Sequence, residues 1–179
     1  MDTLDIILDE ITSVLSKVDK NQIDDVVNCI SKDKRIFVDG EGRSGLMGKG
    51  FAMRLMHLGY TVYSVGETIT PAVSKDDIYL SISGSGESGN VVLNTKKAKE
   101  KGCFIIGVSS KKTSTLALLA DKLLIVSGTT KGDAGDERKS VQLLSSLFDQ
   151  SIHIVLDAMC LMLSKRDNIS NSEATAKHW

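Results

Sequence analysis

The sequence has almost no charge excess. Its 22 Lys and Arg against 23 Asp and Glu leave a net charge of −1, which excludes the basic surplus that a binder of the nucleic-acid backbone carries. No nucleic-acid partner is expected, and the Lys96-Lys97-Ala98-Lys99 run reads as a solvated helix face. Cysteine is scarce: Cys29, Cys103 and Cys160 stand singly in apolar patterns, without metal-ligand spacing. Reduced core thiols, no metal and a cytoplasmic location are expected. No apolar run reaches the ~20 residues that cross a bilayer. The richest, 152–163, is broken by His153 and Asp157 and reads as a buried helix, so no membrane is expected. The opening Met1-Asp2-Thr3 is acidic and helix-patterned, where a secretory leader would be basic and then apolar.

What is present is a 41% share of apolar residues over 179 positions, enough for one domain over 1–179 with a real core. Residues 3–18 set Leu4, Ile7, Ile11, Val14 or Leu15 and Val18 at helical spacing, and 22–31 repeat the pattern with Ile23, Val26, Val27 and Ile30. Five strand-like runs follow at 35–39, 61–65, 77–83, 104–109 and 122–126, most of them separated by helix-length segments. That alternation predicts a three-layer α/β fold: a five-stranded parallel sheet with flavodoxin-like winding, flanked by helices. Residues 46–58 place Met47, Phe51, Leu55 and Leu58 on one core-facing stripe. The last long segment, 140–164, is apolar on two faces, one with Leu144, Phe148, Ile152, Val155, Met159 and Met162, the other with Leu147, Ile154, Ala158 and Leu161. A helix so patterned must bury both faces, so a homo-oligomer is expected. The polar, glycine-broken stretch 127–139 reads as a mobile loop.

Two glycine-rich turns of one shape punctuate this pattern. Gly40-Glu41-Gly42-Arg43-Ser44-Gly45 and Gly84-Ser85-Gly86-Glu87-Ser88-Gly89 each follow a strand-like run and lead into a helix. Such a turn leaves backbone N–H groups free at a helix N-terminus, where the dipole favours an anion. Its glycines let the backbone come close, and its serines add hydroxyl donors. Each charge-assisted bond to a phosphate contributes about 1.5–3 kcal/mol. In a sheet of order 2-1-3-4-5 the turns follow strands 1 and 3, which flank the winding reversal where ligands bind. Both then face one crevice, which reads as a sugar-phosphate site. A dinucleotide site is the rival, with Gly40 to Gly45 as fingerprint and Glu67 as ribose acid. Against it, Glu67 lies two residues beyond its strand run, behind Gly66, and the serine-rich second turn suits a terminal phosphate. A P-loop fits less well: Gly48-Lys49 is followed by Gly50, and no glycine stands five residues before Gly48.

Four stretches carry a resemblance: Gly42-Arg43-Ser44-Gly45; Phe51-Ala52-Met53-Arg54-Leu55-Met56-His57-Leu58-Gly59; Val65-Gly66-Glu67-Thr68 with Thr70-Pro71; and Ser83-Gly84-Ser85-Gly86-Glu87-Ser88. In them the chain resembles the sugar isomerase (SIS) superfamily and, within it, the 6-phospho-3-hexuloisomerases of the ribulose monophosphate pathway. The resemblance implies a homotetramer that interconverts D-arabino-hex-3-ulose 6-phosphate and fructose 6-phosphate without metal or cofactor. It implies that Ser44, Ser83, Gly84, Ser85, Gly86, Glu87 and Ser88 hold the substrate phosphate, with Gly42 and Arg43 beside the substrate. The family's proton acceptor is a Glu in a Pro-Met-Gly-x-x-Phe-Glu motif. Here Leu143-Leu144-Ser145-Ser146-Leu147-Phe148-Asp149 places Asp149 at that position, one methylene shorter, and lacks the Pro-Met-Gly entry. The family also carries a His near its C-terminus, for which His178 is the candidate.

Moving a carbonyl between adjacent carbons needs a base for the carbon-bound proton, donors at the oxygens and exclusion of water from the enediol. Asp149 is the first candidate by family position. Glu67, His57 and His178 follow. Asp149, His153 and Asp157 form an i, i+4, i+8 polar stripe. The alternative is a sensor that binds the same metabolite in the same crevice without chemistry.

Overall fold

The computed structural model describes residues 2–135 and 139–179. Positions 136–138, part of the expected loop 127–139, lie outside the described residues. Helix α1 (Thr3–Leu15) opens on a capping box in which Asp2 and Asp5 each accept the other's backbone N–H. Asp19 caps α2 (Lys20–Cys29). The chain then alternates: β1 (Arg35–Gly40), α3 (Gly42–His57), β2 (Thr61–Ser64), β3 (Ile78–Ile82), α4 (Gly89–Glu100), β4 (Phe104–Ser109), α5 (Thr115–Leu119) and β5 (Lys122–Ile125). Helices α6 (Ser146–Arg166) and α7 (Asn171–Thr175) complete it.

Among the described residues all strand pairs are parallel, in the order β2-β1-β3-β4-β5, the expected winding. Alternate residues of each strand serve the two faces. Ile36, Val38, Leu80, Ile82, Ile106 and Val108 pack with α1, α2, α3 and α6, whereas Phe37, Tyr79 and Ile105 pack with Ala98 of α4 on the other face. The three layers follow.

Several boundaries differ from expectation. Helix α3 begins at Gly42, inside the first glycine turn, because Gly42 takes φ +57 and the chain turns straight from strand to helix. The last long helix begins at Ser146 and not near 140, since Leu144 takes φ +51 and breaks the pattern before it. The short helices α5 and α7 carry too little periodicity to be read. Helix α6 is, by length and composition, able to cross a membrane, yet Phe148, Ile152, Met159 and Leu163 are wholly buried in the core, which marks it as a core helix. Its second apolar face is partly open: Leu147 is buried, but Ile154 is 42% and Leu161 57% exposed. In the stretch expected to be a loose loop, Thr129 and Thr130 are buried, and Asp133 accepts from the Thr130 N–H at 2.7 Å.

Candidate active site

Among the described residues, four helices close their N-termini with a side chain: Asp2 on α1, Asp19 on α2, Ser114 on α5 and Ser170 on α7. Helices α3, α4 and α6 do not, and their N-cap residues are Glu41, Ser88 and Ser145. All three of those residues line one crevice of about 180 Å³, together with Gly42, Arg43, Ser44, Gly84, Ser85, Thr130 and Lys131. The crevice lies beyond the carboxyl ends of β1 and β3, where the winding reverses. The first intrahelical bonds there are donated by Gly45, Val92 and Asp149, so the amides before them are unpaired within their helices. Three dipole ends, with Lys131 and Arg43 beside them, favour an anion.

The second turn is held from within. The Ser83 and Ser88 hydroxyls are 2.9 Å apart, and the Gly86 N–H donates to Ser83 Oγ at 3.1 Å. Ser85 Oγ accepts from the Glu87 N–H at 3.2 Å, which leaves its own proton to donate outward. Gly86 sits at φ +70 with the Ser114 hydroxyl where a Cβ would be, so only glycine fits. From outside, the Gly84 carbonyl accepts from the Ser110 N–H at 3.0 Å and hydroxyl at 2.7 Å. In the first turn a Cβ on Gly45 would stand 2.5 Å from the Gly40 carbonyl oxygen, so strand and helix meet there only through glycine.

Behind the wall lies a carboxylate. Asp149 is completely buried, its Oδ1 accepting from the Ser44 hydroxyl at 2.6 Å and its Oδ2 from the Ser145 hydroxyl at 2.7 Å. Ser44 therefore has no hydroxyl proton left for an anion; what it offers is its amide. Across the crevice, Glu41 Oε1 accepts from Asn90 Nδ2 at 2.6 Å.

The SIS domain profile matches residues 29–154, which include both turns and the start of α6. The chain belongs to the SIS domain family. It is 37% identical over 175 residues to the 3-hexulose-6-phosphate isomerase of Mycobacterium gastri, covering 98% of this chain and 87% of that one. It is 31% identical over 172 residues to the enzyme of the same name from Bacillus subtilis, covering 96% and 93%. A solved structure from Methanococcus jannaschii, described as inferring a function of 3-hexulose-6-phosphate isomerase, superposes with a TM-score of 0.83 at 34% identity, covering 100% of this chain and 98% of that one.

Against the expected site of this SIS chain, Ser44, Gly42, Arg43, Gly84, Ser85 and Ser88 come together in the crevice, and Ser83 and Gly86 support them. Arg43 also donates to Ser146 Oγ at 2.9 Å, tying α3 to α6. Glu87 departs from expectation: its carboxylate accepts the Thr115 N–H at 2.7 Å, at the start of α5. That bond holds its pKa below the usual carboxylate range.

The four acid-base candidates do not converge within one chain. Asp149 is enclosed behind Ser44 and Ser145. Glu67 pairs with Lys49 at 2.6 Å, both about half exposed and outside the crevice lining. His57 closes α3 about 20 Å along its axis from Ser44, at 1.5 Å per residue. There it is buried, 3.3 Å from Arg54 and stacked on His178 with ring centroids 5.2 Å apart. Burial, then the neighbouring Arg54 guanidinium and the His178 ring, push the His57 pKa down. The expected polar stripe also divides: Asp149 is buried, while His153 and Asp157 are exposed and 3.6 Å apart. Sequence reasoning missed Glu41, Thr130, Lys131 and Ser145 as crevice residues. Glu41 stood inside the quoted turn and could have been found as the N-cap of α3, whereas Thr130 and Lys131 carried no signal beyond a polar stretch after the last strand.

Proposed function

We propose that the crevice takes the phosphate end of an open-chain ketohexose phosphate and that the protein isomerises it through an enediol, interconverting D-arabino-hex-3-ulose 6-phosphate and fructose 6-phosphate. The observation that carries this reading is the convergence of three helix N-termini without side-chain caps, beside Lys131 and the serine turn, in a chain whose relatives are named 3-hexulose-6-phosphate isomerases. Ser85, Ser88 and the amides of both turns grip the phosphate, with Arg43 and Lys131 neutralising part of its charge. The sugar chain extends towards Glu41 and Ser145.

The same reading takes the chain as one cytoplasmic domain working as a homotetramer. Exposed Met53, Met56, Ile154 and Leu161 on α3 and α6 supply an apolar face for a second copy.

Incubating the purified protein with fructose 6-phosphate in D₂O tests the activity. Deuterium at a sugar carbon, with 3-hexulose 6-phosphate forming, is the expected result. Saturable binding without exchange overturns it in favour of a sensor.

A further inference from the structure

The strap that follows β5 is pinned at three points. A Cβ on Gly128 would stand 2.5 Å from Phe148 Cα, and one on Gly84 would stand 3.1 Å from the Thr130 methyl, so the strap lies against both α6 and the serine turn. The third point is Asp133. Its N–H donates to the Thr130 carbonyl at 3.2 Å, which closes a turn with Lys131 and Gly132 at its tip. Its Oδ2 accepts from the Thr130 N–H at 2.7 Å and from the Thr130 hydroxyl at 3.2 Å, and its Oδ1 meets Lys111 Nζ, from the chain after β4, at 3.1 Å.

We propose that Asp133, braced by Lys111, is a positioning residue that sets Lys131 against the substrate phosphate, a proposal that rests on the reading of the crevice as a phosphate site. Thr130 and Lys131 line the crevice, whereas Asp133 and Lys111 line a separate hollow of about 590 Å³ with Ser127, Gly128 and Thr129. The strap is the partition between the two, and the ion pair holds it from the side away from the ligand. A lysine carried on a closed turn gives up less freedom on meeting an anion than one on a loose chain. Burial works to raise the pKa of Asp133, but the Thr130 N–H and the Lys111 ammonium outweigh it and hold the carboxyl below its ordinary value. The latch is therefore charged at neutral pH.

Charge alone argues the opposite way. Removing a carboxylate two residues from Lys131 makes the local field more positive, so Asp133→Asn tightens phosphate binding if only the field matters and weakens it if positioning prevails. That difference of sign separates the two.

Calorimetric titration with inorganic phosphate and with fructose 6-phosphate, at low salt, compares wild type, Asp133→Asn, Lys131→Gln and the double variant. The expected Kd for Asp133→Asn is raised about two- to fivefold, the contribution of an exposed lysine. In that background the further effect of Lys131→Gln shrinks to less than about 1.5-fold, because the two residues act as one unit. Lys111→Gln breaks the same pair without altering the strap, so its cycle with Lys131→Gln should couple in the same way and decides the question if Asp133→Asn does not fold. A Kd that is unchanged or tighter in Asp133→Asn overturns the proposal. So does a Lys131→Gln effect that keeps its full size in either background, which would leave Asp133 a structural role only. Turnover is read separately: a wild-type protein that binds fructose 6-phosphate but never exchanges its proton in D₂O overturns the isomerase reading while the coupling still decides the role of Asp133. A wild type that binds neither ligand overturns the phosphate site and the proposal together.

Discussion

Ser44 and Asp149, 105 residues apart in sequence, share a buried hydrogen bond of 2.6 Å in which the serine hydroxyl donates. The bond ties the first turn of α3 to the first turn of α6, and Ser145 completes it from the other carboxylate oxygen. A buried carboxylate is tolerated only where donors satisfy it, so the crevice wall is in effect a clamp of two serines on one acid. The bond fixes the first turn of α3 against the first turn of α6, with the carboxylate enclosed between the two serines.

Asp149→Asn keeps the shape and turns one acceptor into a donor that faces a hydroxyl. The expected cost is about 1.5–3 kcal/mol, the worth of a hydrogen bond to a charged group, read as a lower urea midpoint. Ser44→Ala should cost less in the Asn background than in the wild type, with a coupling of about 0.5–3 kcal/mol. Additive costs in that double-mutant cycle contradict the clamp.

The fold and one wall of the site were legible because they depend on periodicity and backbone chemistry. Apolar runs such as Ile78–Ile82, alternating with helix-length segments, fix a parallel sheet, and glycine at positions such as 45 and 86 is demanded by close approach whatever surrounds it. What side chains bond to was not legible. Glu87 reads as part of a phosphate turn until Thr115 is found beside it, and Asp149 reads as a candidate base with no sign in the sequence that Ser44 and Ser145 engage both of its oxygens. The distance of His57 from the crevice, by contrast, followed from thirteen steps along one helix and could have been read from the rise per residue.

Gly86 and Gly42 separate two kinds of glycine requirement. Both have positive φ, but a Cβ on Gly86 collides with the Ser114 hydroxyl, whereas one on Gly42 meets nothing within 4 Å. Gly42→Ala should therefore cost only the conformational ~1–2 kcal/mol. Gly86→Ala should cost more and distort the serine turn. Calorimetric titration with fructose 6-phosphate is expected to show at least a tenfold weaker Kd for Gly86→Ala than for Gly42→Ala. Equal affinities would mean that the turn at 83–88 does not hold the phosphate.

Asp39 gives a pH signature apart from catalysis. It is only 5% exposed on β1, and it accepts from the Tyr79 hydroxyl at 2.8 Å and from Asn94 at 3.3 Å. Burial, the largest influence, raises its pKa, against those two hydrogen bonds, which lower it. The unfolded group releases its proton near the ordinary value of about 3.9, while the folded one holds it longer. In that window the folded state binds more protons, and stability falls as pH rises through it. In Asp39→Asn this contribution is absent. The stability difference should therefore move in favour of the variant as pH rises through the window and then level off, as measured by urea unfolding from pH 3 to pH 7. A difference independent of pH contradicts the raised pKa.

Lys131 is the crevice residue that no pattern in the chain marks, and salt provides a direct way to weigh it. An exposed lysine beside a bound phosphate contributes about 0.2–1 kcal/mol, a contribution that ionic screening removes as the Debye length shrinks to about 3 Å at 1 M salt. Lys131→Gln should raise the Kd for fructose 6-phosphate about two- to fivefold at low salt and make it less salt-dependent. Lys112, which follows β4 and does not line the crevice, serves as control: Lys112→Gln alters the net charge equally and should leave both quantities unchanged. If the two variants weaken binding to the same extent, the effect belongs to the overall field of the protein, and Lys131 has no direct place in the phosphate site.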